Sequence, residues 1–275
     1  MALNFLQSLI YGCVSGITEF LPISSLAHQK ILMTLFGVTT ISPLQSLFVH
    51  IGLIFAVLVG CGSSIEQLRR GYQSTKSRRR TIRSGDSVLE LHFIKNAVLP
   101  LLLTAFILYQ CVQIDNGLMW IAVFSLMNCI IMFVETRMMQ GNKSERSLST
   151  LDSVVVGVAG ALSVFPGISR ISAMQVAATA CGIDQRKSLN WIVILSIPML
   201  AFFVIIDIIA IVTVNAGSVD TGFFPALFSG ICAFISGYFS ISLFKSIFSN
   251  NDRTGFAFYS LGVALFSLFL YLMVV

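Results

Sequence analysis

The sequence predicts an all-α integral membrane protein built as an inverted-topology repeat, with six transmembrane helices and two re-entrant helical hairpins. Composition is the first reason. Hydrophobic residues make up 56% of the 275 residues and charged residues only 11%, well below the roughly one quarter of a soluble domain. Apolar segments recur from the N-terminus to Val275. We therefore expect a single membrane domain over 1–275, with the lipid bilayer as its solvent.

The second reason is a pair of apolar segments that are broken near the middle. Segment 4–37 is interrupted at Pro22, and segment 153–181 is interrupted at Pro166-Gly167. Each break leaves two pieces that are too short to cross a hydrocarbon core of about 30 Å. Proline ends or bends a helix, and irregular backbone at membrane depth persists only inside protein or beside a polar cavity. We expect each segment to form a re-entrant hairpin that marks a site.

Six further segments are long and apolar enough, or nearly so, to cross the membrane. They lie at 44–62, 96–112, 118–134, 189–212, 223–244 and 256–275.

The distribution of lysine and arginine predicts the orientation, because basic loops stay in the cytoplasm. Fifteen of the seventeen basic residues lie in four connections, at 63–95, 135–152, 182–188 and 245–255. Eight of them belong to 63–95, which we predict to be a basic cytoplasmic loop, whereas 113–117 and 213–222 have none. Six crossings then place both termini on the outer side. Topology explains the net charge of +5, so we expect no nucleic-acid partner.

This orientation makes the two hairpins enter the membrane from opposite faces, so that their tips can meet. The tips also resemble each other, since Phe20–Ser25 set against Val164–Ser169 aligns Pro22 with Pro166 and Ser25 with Ser169. We predict one repeat over about 1–134 and a second over about 153–275. In inverted repeats the binding site lies where the repeats meet.

Charged and polar residues near the two breaks are the site candidates, because charges inside lipid are costly. We predict catalytic roles for Glu19, Ser25, His28 and Arg170, and substrate binding by Ser24, Gly167, Ser169 and Ser172. Unpaired backbone N–H groups where a helix begins after each proline, around Ile23–Ser25 and Gly167–Ser169, would bind an anion. The guanidinium of Arg170 matches phosphate oxygens, which predicts a phosphate site.

Three alternative explanations of individual residues remain beside the phosphate-site hypothesis. Glu19 and Arg170 could be a structural ion pair that ties the hairpins together, with His28 as a packing residue. His50, at the start of an apolar segment, could line the site or lie at the membrane interface. Asp207 is more typical of a partnered polar residue than of a catalytic one.

Two motifs carry a resemblance to a known family. Gly16-Ile-Thr-Glu-Phe-Leu-Pro-Ile-Ser-Ser-Leu-Ala-His28 and Phe165-Pro-Gly-Ile-Ser-Arg170 are similar to motifs of the bacitracin-resistance type of undecaprenyl-diphosphate phosphatase. Weaker similarity, at Ile51-Gly52, Ile197-Pro198 and Phe256-Ala-Phe-Tyr259, extends it over nearly the whole chain.

The resemblance implies hydrolysis of undecaprenyl diphosphate at the outer side of the bacterial cytoplasmic membrane, which recycles the carrier lipid of cell-wall synthesis. It places Glu19, Ser25, His28, Ser169 and Arg170 on catalytic positions. It also implies Mg²⁺ or Ca²⁺ as a cofactor, with Glu19 as a candidate ligand. The oligomeric state stays open, a homo-oligomer included.

The chain departs from the family pattern at four positions. Ser15 stands where the first motif has a second glutamate, and Met174 stands where the second motif has threonine. Ala27 replaces a glycine, and His50 replaces a common glutamine. The first two changes remove a carboxylate and a hydroxyl group. Two alternatives to hydrolysis therefore remain: a transporter that moves undecaprenyl phosphate across the membrane, and an inactive partner of cell-wall enzymes.

Overall fold

The computed structural model describes residues 3–76, 82–111, 117–139, 141–143, 145–213, 222–249 and 254–274. These residues form twelve α-helices and two short 3-10 turns, and the described ranges contain no β structure beyond one isolated bridge. The helices are α1 Phe5–Glu19, α2 Ser25–Leu35, α3 Pro43–Gly60, α4 Gly62–Lys76, α5 Ile82–Cys111, α6 Leu118–Arg137, α7 Thr150–Ala161, α8 Arg170–Ala180, α9 Gln185–Ile194, α10 Ser196–Thr213, α11 Phe223–Ser249 and α12 Thr254–Val274. The 3-10 turns are Glu145–Ser147 and Leu162–Val164.

Six helical segments of the described chain are long and apolar enough to cross a membrane, which confirms the predicted spans. They are Pro43–Gly60, Asp86–Cys111, Leu118–Arg137, Lys187–Thr213, Phe223–Ile247 and Thr254–Met273. The predicted connections 113–117 and 213–222 lie largely outside the described residues. The chain is therefore a multi-pass α-helical membrane protein.

The two broken segments form pairs of short helices. α1 and α2 contain 15 and 11 residues, and α7 and α8 contain 12 and 11 residues. At 1.5 Å per residue the longest of them measures roughly 22 Å, which is less than the thickness of the hydrocarbon core. The two helices within each pair pack against each other.

The predicted basic loop 63–95 is largely helical instead. It contains α4 and the first part of α5, which pack against each other and bury Leu68 and Val88. Within α4, Arg69 and Arg70 hydrogen-bond to Glu66 and lower the pKa of that carboxyl group to about 2. Charged residues on the exposed faces of α4 and α5 mask the helical pattern, so hydrophobicity alone predicts a loop here.

Small residues allow the first helix of each pair to pack closely against a long helix. A Cβ atom on Gly12 of α1 would lie 2.1 Å from the backbone oxygen of Ser229 in α11. A Cβ atom on Gly157 of α7 would lie 2.3 Å from the backbone oxygen of Ala97 in α5. Close backbone approach through small residues is typical of helix packing in membranes. α1 thus packs on α11 as α7 packs on α5, while α6 packs on α12 and α3 on α10.

Candidate active site

The first break separates α1 from α2 and is formed by residues 20–24, here called the first tip. Phe20, Leu21 and Ile23 are buried, so apolar packing holds this turn in place. Ser24 caps α2, since its hydroxyl group accepts a hydrogen bond from the N–H of Ala27 at 3.4 Å. A serine at this position satisfies a donor that the helix leaves unpaired.

The second break separates α7 from α8, and residues 165–169 form its second tip. Ser169 caps α8 by accepting a hydrogen bond from the N–H of Ser172 at 3.3 Å. Gly167 has a φ of +128°, and a Cβ atom there would lie 2.6 Å from the backbone nitrogen of Ser125 in α6. Glycine suits this position both for its backbone conformation and for the absence of a side chain.

The two tips contact each other, as the sequence predicts. The N–H of Gly167 donates to the hydroxyl oxygen of Ser24 at 2.9 Å, and the hydroxyl group of Ser169 donates to the backbone oxygen of Leu21 at 3.2 Å. Each helix-capping serine therefore also bonds to the opposite tip. By this capping role, Ser24 is the counterpart of Ser169. The sequence comparison of the two tips matches Ser169 with the next residue, Ser25.

Asn128 of α6, which the sequence analysis did not single out, is fully buried beneath both tips. Its side-chain nitrogen donates to the backbone oxygen of Pro22 and to the hydroxyl group of Ser260. Its side-chain oxygen accepts from the N–H of Ser169 at 3.0 Å and from the hydroxyl group of Ser172 at 2.5 Å. A single amide in an otherwise apolar span was the available sequence signal.

These bonds correct the predicted anion site at the second tip. The N–H of Gly167 binds Ser24, the N–H of Ile168 binds the backbone oxygen of Phe165, and the N–H of Ser169 binds Asn128. All three donors that were expected to receive a phosphate group are occupied within the protein. Gly167 and Ser169 bond directly to the first tip, and Ser172 bonds to Asn128, which itself bonds to Pro22.

Glu19 and Arg170 form an ion pair across the two breaks. Glu19 is the last residue of α1 and Arg170 the first residue of α8. Their side chains are 13% and 4% exposed, and the Nε atom of Arg170 is buried with no hydrogen-bond partner among the described residues. A buried guanidinium with an unused donor is suited to bind an additional anionic oxygen.

A small polar pocket of about 30 Å³ lies beside this ion pair. Its polar lining comprises Glu19, Ser24, Ser25, Gln29, His50, Ser163 and Arg170, and its apolar lining comprises Ile23, Leu26, Ile168 and Phe203. Four of the eight predicted site residues, Glu19, Ser24, Ser25 and Arg170, thus line one cavity. The volume suits about one water molecule, so a phosphoryl group fits only if side chains that line the pocket move.

Ser25 lies in this pocket next to Ser15, the position at which a second carboxylate was expected from the resemblance. Gln29 donates to the hydroxyl oxygens of both serines, at 3.2 Å to Ser25 and 3.0 Å to Ser15. Ser15 is fully buried and its own hydroxyl group donates to the backbone oxygen of Tyr11. A neutral hydrogen-bonded cluster therefore occupies this side of the pocket.

His28 is not among the residues that line the pocket, and its catalytic role stays a prediction. Its Nδ1 atom is 2.6 Å from the backbone oxygen of Ser24, and its Nε2 atom is 2.8 Å from the hydroxyl oxygen of Tyr259. The His28 and Tyr259 rings are stacked with centroids 5.7 Å apart. Both ring nitrogens therefore have protein partners, which fits a residue that fixes the start of α2 against α12.

His50 of α3 lines the pocket, which resolves one alternative left open by the sequence. Its Nδ1 atom lies 2.6 Å from Oδ2 of Asp207 in α10. Asp207 is thus a partnered residue, as predicted, and its partner is a residue of the pocket.

The donor set does not fit a resident divalent cation. Mg²⁺ and Ca²⁺ prefer several oxygen ligands, carboxylates above all. No cluster of three or more His, Cys, Asp or Glu side chains suited to a metal is found in the ranges that the structure describes. The pocket offers the carboxylate of Glu19, which already contacts Arg170.

The fold and the site together define a multi-pass membrane protein with a buried carboxylate–guanidinium pair where two broken segments meet. Comparison with known proteins identifies its family. The family model described as Bacitracin resistance protein BacA matches residues 8–266, and the chain belongs to this family.

Curated relatives cover almost the whole chain at low identity. A protein of Prochlorococcus marinus (strain MIT 9312) is 27% identical over 264 residues, which are 93% of this chain and 94% of that protein. A protein of Oceanobacillus iheyensis is 29% identical over 253 residues, 91% of this chain and 90% of that protein. One from Methanosphaera stadtmanae is 26% identical and covers 94% of both chains. All three are named undecaprenyl-diphosphatase.

Proposed function

We propose that this chain hydrolyses undecaprenyl diphosphate to undecaprenyl phosphate and inorganic phosphate, and so recycles the carrier lipid of cell-wall synthesis. The observation that carries the proposal is the buried pair of Glu19 and Arg170 beside Ser25, in a member of this family. The similarity of its relatives, which are named for this reaction, extends over both tips.

Substrate binding begins at Arg170. A terminal phosphate group that approaches the pocket competes with Glu19 for the guanidinium, and it brings more negative charge than one carboxylate. The Nε donor of Arg170, which has no partner in the described structure, becomes available to the phosphate at the same time. Exchange of one anion for another keeps the buried guanidinium paired throughout, so the displaced carboxylate of Glu19 is the group that needs a new hydrogen-bond donor.

The chemical step requires an attacking oxygen and a stabilised phosphoryl group. The hydroxyl group of Ser25 or a water molecule beside it supplies the oxygen. Arg170 stabilises the charge on the transferring phosphoryl group, because preorganised cations are the main source of catalysis in phosphoryl transfer. Glu19, displaced from Arg170 by the phosphate group, orients an attacking water molecule by accepting a hydrogen bond from one of its two O–H groups, which leaves the other O–H group for a base.

The test measures inorganic phosphate released from undecaprenyl diphosphate by detergent-purified protein. We expect Arg170→Ala and Glu19→Ala each to reduce kcat by at least about 10²-fold, as removal of a main transition-state donor does. Arg137→Ala and Glu66→Ala change exposed or partly exposed residues of α6 and α4 and serve as matched controls. Unaltered thermal unfolding midpoints would show that the variants fold.

Turnover that survives both pocket substitutions would contradict the assigned site. Binding of undecaprenyl phosphate by wild-type protein without phosphate release would support the transporter alternative, and the absence of both would support the inactive-partner alternative. The same assay with added Mg²⁺, added Ca²⁺ or EDTA tests the cofactor implied by the resemblance. Mg²⁺ commonly binds one or two carboxylates together with substrate phosphates, so loss of turnover in EDTA would show that the ion enters with the diphosphate, and retained turnover would show that Arg170 suffices.

The location that best fits this function is the bacterial cytoplasmic membrane, with both termini on the outer side. The concentration of basic residues in alternate connections supports this orientation. The packing of α1 on α11 and of α7 on α5 supports an inverted repeat, because a two-fold axis would exchange these two contacts. In such a repeat the two broken segments enter the membrane from opposite faces. Light scattering of the purified protein would measure its oligomeric state.

A further inference from the structure

His50 and Asp207 form a second polar pair at the edge of the pocket, outside both broken segments. Nδ1 of His50 is 2.6 Å from Oδ2 of Asp207, and the two side chains are 14% and 12% exposed. The ring of His50 also stacks on Phe203, with centroids 5.3 Å apart and an interplanar angle of 17°. A hydrogen bond and a stacked ring together fix the orientation of the imidazole.

The partner of His50 also determines where its ring proton lies. An ionised carboxylate only accepts hydrogen bonds, so beside an ionised Asp207 the Nδ1 atom carries a proton, and in the neutral imidazole the lone pair then lies on Nε2. A carboxylate that holds an imidazole in this tautomer prepares it to take a proton from a nucleophile.

His50 is also well placed among the titratable groups of the pocket. The described lining contains three such side chains, namely Glu19, Arg170 and His50. Arginine stays protonated, and Glu19 is engaged by Arg170 in the structure. Ser15 and Ser25 on the opposite side contribute hydroxyl groups bonded to Gln29 and no carboxylate.

We propose that His50 is the general base of this chain and that Asp207 positions it. The inference rests on the proposed function. As the oxygen of water or of Ser25 attacks the terminal phosphorus, its proton moves to Nε2 of His50. The new P–O bond forms while the bridging P–O bond breaks, and the bridging electron pair leaves with undecaprenyl phosphate. His50 then returns the proton to solvent. If Ser25 attacks first, water then attacks the phosphoserine and gives its proton to His50, the bond between phosphorus and the Ser25 oxygen breaks, and that oxygen takes the proton back from His50.

The charged and titratable groups near His50 can be named for each helix that packs against α3. Asp207 faces it from α10, and Tyr11 of α1 lies within electrostatic range of Asp207. Glu19 and Arg170 face the same pocket. On α11, Lys245 binds the backbone oxygen of Gly60 at the other end of α3, and the charges of α4 begin beyond that point. Asp207 is therefore the direct electrostatic partner of the imidazole.

The experiment measures kcat, KM and their pH dependence for His50→Gln and Asp207→Asn, with undecaprenyl diphosphate as the probe. His92→Gln is the matched control, since it makes the same change at an exposed histidine of α5. His50→Gln restores the glutamine that is common in the family, but Ser15 leaves this chain without the second carboxylate of the first motif, and glutamine cannot take up a proton. We therefore expect His50→Gln to lower kcat by about 10²-fold or more with KM within about twofold, as loss of a general base does. Because the base must be neutral, wild-type kcat should fall at acidic pH, and His50→Gln should lose that limb of the profile. Asp207→Asn should lower kcat and shift the acidic limb of the pH profile.

Each result decides the proposal. Reduced kcat together with the lost acidic limb supports it, because a packing defect would lower activity at all pH values alike. If His50→Gln keeps kcat within twofold, or keeps the wild-type limb, the proposal is wrong while the hydrolase function stands. A wild-type protein without turnover would overturn both.

Discussion

Gly167 carries the most demanding backbone position of the second tip, and its substitution gives a prediction at the scale of one residue. Its φ of +128° is rarely adopted by other residues, and an added Cβ atom would meet the backbone of α6 at 2.6 Å. We expect Gly167→Ala to lower the free energy of unfolding by about 2 kcal/mol or more, from strain plus the clash. The thermal unfolding midpoint in detergent would report the loss.

Gly37 provides the control for this change. It also has a positive φ, of +66°, but no atom lies within 4 Å of an added Cβ. Gly37→Ala therefore retains the conformational cost without the clash, and its midpoint should fall less. Equal losses in the two variants would mean that close approach to α6 is unimportant.

The pairing of Glu19 with Arg170 could be predicted because each is a charge at the end of a broken apolar segment. The partners of the backbone donors at the second tip could not be predicted. Ser24 and Asn128, which occupy the N–H groups of Gly167 and Ser169, come from 143 and 41 residues away in the chain. Which acceptor reaches a free N–H group depends on how helices pack, and local sequence does not encode that.

At the scale of elements, the close contact between α1 and α11 predicts that one and the same change, Gly→Ala, lowers stability in α1 but not in α12. Glycine inside a helix costs about 1 kcal/mol relative to alanine, so Gly→Ala stabilises a helix that has room for the methyl group. Gly262 of α12 has that room, since nothing lies within 4 Å of an added Cβ, whereas Gly12 faces the backbone oxygen of Ser229 at 2.1 Å.

We therefore expect Gly262→Ala to leave the thermal unfolding midpoint unchanged or higher, and Gly12→Ala to lower it. Both variants make the same chemical change in a helix, so the difference isolates the helix contact. A midpoint for Gly12→Ala at or above that of wild-type protein would disprove close packing of α1 on α11.

Elements were predictable where hydrophobicity defines them. All six long apolar segments are helices, and both proline breaks separate two helices, because length and apolar content decide these features locally. The interval 63–95 was predicted as a loop because its charges dominate its composition. In the structure, buried Leu68 and Val88 give α4 and α5 a shared apolar contact that an average over the segment conceals.

At the scale of the whole molecule, the proposed topology predicts which residues are accessible from one side. Asn4 and Thr40 are exposed at the two ends of the first broken segment, and Arg69 is exposed on α4. In a cysteine-free background, we expect a membrane-impermeant maleimide to label Asn4→Cys and Thr40→Cys in intact cells, because both should face outward. Arg69→Cys should react only after permeabilisation.

Two outcomes would contradict this arrangement in different ways. Labelling of Arg69→Cys alone in intact cells would reverse the orientation of the protein. Labelling of Asn4→Cys and Thr40→Cys from different sides would show that the first segment crosses the membrane rather than returning to the side from which it entered.

At this scale, the sequence does not predict how distant segments lie relative to one another. His50 and Asp207 are 157 residues apart, and each is the one titratable residue of an apolar helix. Their meeting at the pocket requires α3 to pack on α10 in one rotation about its axis, which the amino-acid pattern of either helix leaves undetermined.

The closed ion pair has a consequence for inhibitor design. A compound that takes the place of Glu19 on Arg170 leaves a buried charge unpaired unless it brings an anion, and such a charge costs about 3–5 kcal/mol. Neutral molecules would lose that amount of affinity, whatever their shape. Compounds with a phosphonate or similar dianionic group replace the displaced carboxylate, so the starting scaffolds for a drug against this protein should carry their own counter-ion for Arg170.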